Sequence, residues 1–419
     1  MDANATTPLL PEVFEAMRPF WMEHYGNASS IHQHGQHARG AVEQARTQVA
    51  RFLRCLNSEI VFTSGGTESD NLALFGVLSP ESTHGEPAHL ITTTIEHHAV
   101  LHAAEALEKT GVEVTFLPCT PQGLIEPAAL QAAIRPNTKL VSIMFANNET
   151  GVIQPIAELA AIAHAAGALF HTDAVQASAK LPLDLSVEGP LKHVDLLTLS
   201  GHKIYAPKGI GVLFVRKNVR LAPMMHGGTH ERQRRAGTEN VACIVGLGKA
   251  AELANTWLSQ ESSDTPGAPS FASSAKGGMQ EARTASNPAE LTALRDRFEQ
   301  GILSQIEETG VNGAGAPRVS NTSNLYFDHL EAEALVIALD LKGLSVSGGS
   351  ACQSGAAEPS HVLTAMGLSP ARARASIRFS LSRLTTNEEI DEAVKLIPAA
   401  VARLRELSPS WNRPKPVAV

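Results

Sequence analysis

From residue 59 onward, apolar runs of strand length alternate with segments whose apolar residues recur at helical spacing. Glu59–Thr63, His89–Thr93, Val112–Leu117, Lys139–Phe145, Ala168–Asp173, Val194–Leu199 and Gly209–Val215 read as strands. Helical patterns cover Ala38–Leu53, the stretch from the Gly65-Gly66 turn through Val77, and the segment opened by Glu96-His97. They recur over Ala128–Ile134, Ile156–Ala166 and Val241–Leu258. Strands separated by helices form a mostly parallel sheet covered on both faces. Such sheets bind ligands outside the carboxyl ends of their strands. Gly66, Thr67, His97, Asn148, Asp173, Gln176 and Lys203 all fall at or just after expected strand ends. That coincidence marks a single site.

A chain of 419 residues buries a large core and divides into two domains. We read a large domain over 14–255, a small α/β domain over 1–13 and 289–419, and a flexible insertion over 256–288. The insertion is set apart by Ser, Gly, Ala, Pro and Thr with little periodicity. The small domain carries the strands Ser323–Phe327 and Ser376–Leu381. Lys and Arg number 34 against 42 Asp and Glu, a net charge of −8 without a dense basic block, which argues against nucleic acid as a partner. No apolar run reaches membrane-spanning length, and the first residues lack the features of a signal peptide. Four cysteines, at 55, 119, 243 and 352, form no CxxC pair, which fits a reducing cytoplasm. His32, His34 and His37 have no usual metal spacing and read as a loop leading into a helix, so no metal site is expected.

Several strand ends carry chemistry. Val194–Leu199 runs into Ser200-Gly201-His202-Lys203, which places an amine at the end of a buried strand. Desolvation lowers the pKa of such an amine and suits it to attack a carbonyl, though a surface lysine in a turn has the same sequence. Ser64-Gly65-Gly66-Thr67-Glu68 joins a strand to a helix and suits either a phosphate or a simple helix cap. Asp173 ends a strand, where it can cap the next turn or face a ligand. Arg378 reads either as a carboxylate clamp or as one of several surface arginines. Cys352 sits in Ser345–Ala357, a run of mostly small residues unable to fix itself by apolar burial. A structural cysteine prefers an apolar core, as Cys55, Cys119 and Cys243 do, so Cys352 is the candidate nucleophile. About seven loop residues on either side, at ~3.3 Å each, carry its sulfur on the order of 10–20 Å.

The ordered set Asn4-Ala5-Thr6-Thr7-Pro8, Ser64–Ser69, Glu96-His97, Asn147-Asn148-Glu149, Asp173 with Gln176, Ser200–Lys203, Arg235–Thr238 and Gly349–Cys352 resembles the cysteine desulfurases. These are pyridoxal phosphate (PLP) enzymes of the class V aminotransferase group, and the likeness is to the NifS/IscS-like branch. It covers nearly the whole chain and implies fold type I, with a mostly parallel seven-stranded sheet. The resemblance implies Lys203 as the cofactor-bearing Schiff-base lysine and proton-moving base. It further implies Asp173 at the ring nitrogen, Gln176 at the phenolic oxygen, and His97 as a catalytic residue on the ring face with a part in proton transfer. Gly66, Thr67, Ser200 and His202 would hold the phosphate, and Thr238 would reach the phosphate of a neighbouring subunit in a homodimer. Arg378 would hold the substrate carboxylate, Asn148 would help hold that carboxylate or the cofactor oxygen, and Cys352 would carry the persulfide from L-cysteine to an acceptor such as an iron–sulfur scaffold. A class V aminotransferase or lyase without a catalytic cysteine and an inactive homologue are the alternatives, and Cys352 discriminates between the first of these and a desulfurase.

Overall fold

The computed structural model describes residues 1–260, 284–348, 359–409 and 411. Cys352, Gly349 and most of the 256–288 segment therefore lie outside the described residues. Strands β1 (Ile60–Thr63), β2 (His89–Thr93), β3 (Glu113–Leu117), β4 (Thr138–Ser142), β5 (Leu169–Asp173), β6 (Leu196–Ser200) and β7 (Gly211–Val215) form one sheet. Their order is β1-β7-β6-β5-β4-β2-β3. Neighbours from β6 to β3 run parallel, while β7 runs against both β1 and β6.

Alternate residues feed two cores, as the strand period of two requires. Leu213 and Val215 of β7 join Leu72, Val77, Val100 and Leu107 under the helices Gly66–Leu78 and His98–Glu108. Val212 and Phe214 join Val42, Val49, Leu247 and Ala251 of the helices Gln33–Leu53 and Val241–Ser259 on the other face. Burial on both faces explains why these strands read as continuous apolar runs.

A second, antiparallel sheet has the order β10-β11-β9-β8, with β8 (Thr309–Val311), β9 (Thr322–Phe327), β10 (Ser347–Gly348) and β11 (Ser376–Ser380). Its core centres on Phe298, Phe327, Leu335 and Phe379. Asp2 pairs with Ser380 of β11, whereas Leu10 and Val13 pack in the core of the larger sheet. The first residues thus cross from one sheet to the other. No helix among the described residues is long and apolar enough to cross a membrane.

Two segments differ from expectation. The helix expected from Ala38 starts at Gln33, because the His32 imidazole caps it by accepting the Gly35 N–H at 3.3 Å. His34 and His37 are therefore helical. The ends of the 256–288 segment are structured rather than flexible, since both are anchored on the second core. Trp257 is buried in the helix Val241–Ser259, and Asn287 caps the helix Pro288–Leu303 by accepting the Glu290 N–H.

The inverted strand has a local consequence. Gly211 begins β7 opposite both Thr63 and Ser200, at the carboxyl edge of their strands. A Cβ there would stand 2.6 Å from the Gly65 backbone, so the Gly65-Gly66 turn folds back at a distance that only glycine allows. Gly211→Ala is expected to destabilise the fold by about 1–3 kcal/mol through overpacking. Denaturant unfolding checks this; an unchanged midpoint would show that the turn moves freely.

Candidate active site

The carboxyl edge of the large sheet borders a cavity of about 290 Å³, which Arg378 reaches from β11 of the second sheet. Gly66, Thr67, His97, Asn148, Asp173, Gln176, Ser200, His202, Lys203 and Arg378 line it. Every cofactor- or substrate-binding residue expected from sequence is therefore brought together, except Thr238. That residue is exposed and outside the cavity. Asn4, Ala5, Asp70 and Met144 also line the space and carried no expected role.

One end of the cavity suits an anion. The helix Gly66–Leu78 begins after Gly65, and no side chain caps its first N–H groups. Those unsatisfied donors and the positive end of the helix dipole face the cavity. A Cβ on Gly66 would lie 3.1 Å from the Val175 side chain and 3.5 Å from that of Ser200, so glycine keeps the cradle open. Glu68, in the first turn, is turned away into an ion pair with Arg235 at 2.8 Å.

The other end is acidic. Asp173 closes β5 and accepts the Val175 N–H through Oδ1 at 2.8 Å. Burial pushes its carboxyl up to about 6, against the pull of that N–H and of Lys203. Asp70, one turn into the helix Gly66–Leu78, is pushed well above the usual carboxylate range by burial and then by the Asp173 charge. His171, whose Nε2 is 3.6 Å from Asp70 Oδ1, is held neutral by burial, which pushes it down to about 3. Asp70 thus ionises less readily than an ordinary carboxylate, beside a second acid that is also raised.

The cations sit between these ends. Lys203 Nζ donates to the carbonyls of Asn4 (2.6 Å) and Ala5 (2.8 Å), which hold the amine at the end of β6. The N–H and hydroxyl of Thr7 both donate to the His202 carbonyl, fastening the same N-terminal strip over the turn. His97 is the N-cap of the helix His98–Glu108, and its Nδ1 accepts the Ala99 N–H at 3.2 Å. Burial, then His98 and Lys203, push this imidazole down to about 4, so it is neutral and its proton sits on Nε2. His202 is likewise pushed down to about 4 by burial and Lys203. Arg378 donates to the Asn148 carbonyl and to Asp2, each at 3.1 Å. Its Nε is buried without a partner among the described residues, as are Asn148 Oδ1 and Asp70 Oδ1.

Residues 1–266 and 264–393 match the aminotransferase class-V family. Cysteine desulfurase 2 of Trichormus variabilis is 47% identical over 412 residues, covering 98% of this chain and 95% of that protein. The chain belongs to the cysteine desulfurase family of class-V aminotransferases. Cysteine desulfurase IscS of Methanosarcina thermophila is 45% identical, over 98% of this chain and 93% of its own. Among solved structures, a NifS-like protein superposes with a TM-score of 0.83 at 34% identity, covering 96% of this chain and 99% of that one. SspA in complex with cysteine gives 0.75 at 36% identity, over 92% of this chain and 99% of that one. Desulfurases of this family depend on PLP. The residues present fit that group: an uncapped helix end for a phosphate, a lysine amine, a buried carboxyl, and buried polar atoms left without partners.

Three of the four cysteines are described. Burial pushes Cys55 up to about 12 and raises Cys119 and Cys243 as well, so all three persist as thiols. Cys352, the expected nucleophile, is not among the described residues. Asn4 and Asp70 were missed as site residues; the sequence signal for Asn4 was its place in the Asn4–Pro8 motif, and for Asp70 the turn that brings it one helical step below Gly66.

Glu96, next to His97, gives a pH test. Burial pushes its carboxyl up to about 8, against hydrogen bonds from Thr93 and Met144. Its Oε2 has no partner among the described residues, which suits a protonated carboxyl. An unfolded glutamate ionises near pH ~4.3, so the stability Glu96 contributes is full below that pH and lost as pH rises through its folded value. Glu96→Gln is expected to abolish that loss, so unfolding at alkaline and mildly acidic pH should favour the variant progressively more at alkaline pH. Parallel pH profiles for the two proteins would show that Glu96 is ionised in the fold.

Proposed function

We propose that this chain is an L-cysteine desulfurase that converts L-cysteine to L-alanine and leaves the sulfur as a persulfide on Cys352. That sulfur serves iron–sulfur cluster or other thio-cofactor assembly through an acceptor such as a scaffold protein. The observation that carries the reading is a convergence in one cavity: an amine at the end of β6, a buried carboxyl at the end of β5, an open helix end, and an arginine from the second sheet.

Gly66, Thr67, Ser200 and His202 would hold the cofactor phosphate, Asp173 the proton on the ring nitrogen, and Gln176 the ring oxygen. His97 would cover the ring face. Bound PLP supplies an electron sink for charge developing at the substrate α-carbon. Lys203 carries the cofactor and moves the Cα proton. Arg378 takes the substrate carboxylate, since its guanidinium keeps an uncommitted N–H on a rigid fork, and Asn148 assists it. The Cys352 thiolate attacks the substrate sulfur, so the S–S bond forms as the Cβ–S bond breaks. The electron pair stays with the carbon, and a proton delivered there yields alanine. The neutral His97, with its proton on Nε2, suits a proton transfer of this kind.

The working unit is a cytoplasmic homodimer, each chain comprising a large domain over 14–255 and a small one over 289–419, with residues 1–13 crossing from the second sheet into the core of the larger one. Thr238 lies outside its own cavity, which suits a reach to the phosphate of the neighbouring subunit. Trp21, Met22, Tyr25 and Ile31 form a run of exposed apolar side chains that a second copy would cover.

Cys352→Ala is expected to lower sulfide and alanine formation from cysteine by roughly a hundredfold or more. Full retention of both products would remove the nucleophile assignment and favour a lyase that needs no cysteine. Arg378→Lys keeps the charge but loses the fork, and should raise the KM for cysteine about tenfold. Steady-state kinetics on PLP-loaded protein decide this, and an unchanged KM would place the carboxylate elsewhere.

A further inference from the structure

Behind Gln176 lies a second lysine that none of the roles above uses. Lys180 follows Gln176 by four residues, and its Nζ donates to Gln176 Oε1 at 2.7 Å and to Asn4 Oδ1 at 3.3 Å. Gln176 Nε2 in turn donates to the Asn4 carbonyl at 3.1 Å, the same oxygen that accepts from Lys203 Nζ. Lys180 and Lys203 also border a common space of about 20 Å³, behind the wall of the cavity.

The chemistry of the two side chains fixes an orientation. A carboxamide can present either its oxygen or its NH₂ group, and the two ends have nearly the same shape. In its charged form Lys180 has three donors and no acceptor, so only the carboxamide oxygen can then face it. The NH₂ group must then point the other way, with one N–H on the Asn4 carbonyl and the second available to the cavity that Gln176 lines.

We propose that Lys180 is a positioning residue for the cofactor: it locks the Gln176 carboxamide as a hydrogen-bond donor to the ring oxygen, and its charge disfavours a second charge on the Lys203 nitrogen. The inference rests on the reading that Lys203 carries PLP. Burial, then Lys203 and Arg378, push the Lys180 ammonium down to about 7, and the coupling between two neighbouring cations works in both directions.

The test uses full-length protein with PLP, comparing the parent with Lys180→Met, Gln176→Ala and the double variant. Two quantities are read: the pH midpoint at which the bound cofactor's visible absorption changes, and the PLP dissociation constant from titration of cofactor-stripped protein. Losing the donor and losing the cation both favour the protonated nitrogen. Lys180→Met should therefore raise the midpoint by roughly half a unit or more and weaken PLP binding about threefold. In the Gln176→Ala background the same substitution should move the midpoint less, since only the charge effect remains. Lys180→Arg, which retains charge and donors, should keep the parent midpoint. Asp70, Asp173, His97, His202 and Arg378, the other ionisable groups lining the cavity around Lys203, are the same in parent and Lys180 variants, so the moved midpoint reports Lys180.

An unchanged midpoint and affinity in Lys180→Met would overturn the inference and reduce the residue to packing, even if thermal stability fell. Equal shifts in the two backgrounds would overturn the route through Gln176. If Lys180→Met does not fold, Lys180→Gln carries the same expectations. A parent protein that takes up PLP while the variants behave identically refutes only this inference. A parent that binds no PLP refutes the proposed function along with it.

Discussion

Asn4 has its polar groups engaged in the buried interior on both sides of the molecule. Its N–H reaches Ser380, and its amide donates to Thr322 and to the Asn148 carbonyl, all on the side of the second sheet or the loop beside it. Its side-chain oxygen accepts from Asn321 and Lys180, and its backbone carbonyl accepts from Gln176 and Lys203. Each bond is modest alone, about 1 kcal/mol net, but breaking the set would strand several buried donors at once. One residue therefore ties the second sheet to the turn that carries the Lys203 amine. The residues lining the cavity hold their places largely because this junction does.

Around that junction the electrostatics separate cleanly. The acids nearest the cavity floor, Asp70 and Asp173, and the neighbouring Glu96 are raised by burial. The imidazoles of His97, His171 and His202 are lowered. Burial thus disfavours charge on both classes, although Asp173, raised only to about 6, can still ionise at neutral pH, and Lys203 and Arg378 are the cations that line the cavity. Anionic groups are drawn in by these cations and by an open helix end. The surrounding interior, in which charges are costly, sharpens the attraction.

Much of this was legible in the sequence because the signals were local. Strand-length apolar runs followed by small polar turns located seven strands, and the residues just after them lined the cavity. What was not legible depended on distance. The reversal of β7 leaves no trace in a strand buried on both faces, because its apolar pattern is the same in either direction. Asp70 reads as a polar residue in a helix until the helix is laid against β5. Lys180 reads as a surface lysine until the N-terminal strip is folded over it. The His32–His37 segment was misread because a histidine is an uncommon helix cap, so its role as a start signal was weak.

The raised thiols of Cys55, Cys119 and Cys243, the last buried and the other two partly so, bear on how a transferable sulfur atom would fare on this chain. A persulfide exchanges readily with any accessible thiolate, and a protein's own cysteines are always the nearest competitors at fixed effective concentration. Apolar burial raises the pKa of all three and so withholds the thiolate needed for exchange. Thiols raised in this way would be poor traps for a sulfur carried on Cys352, which would favour an outside acceptor over the described cysteines.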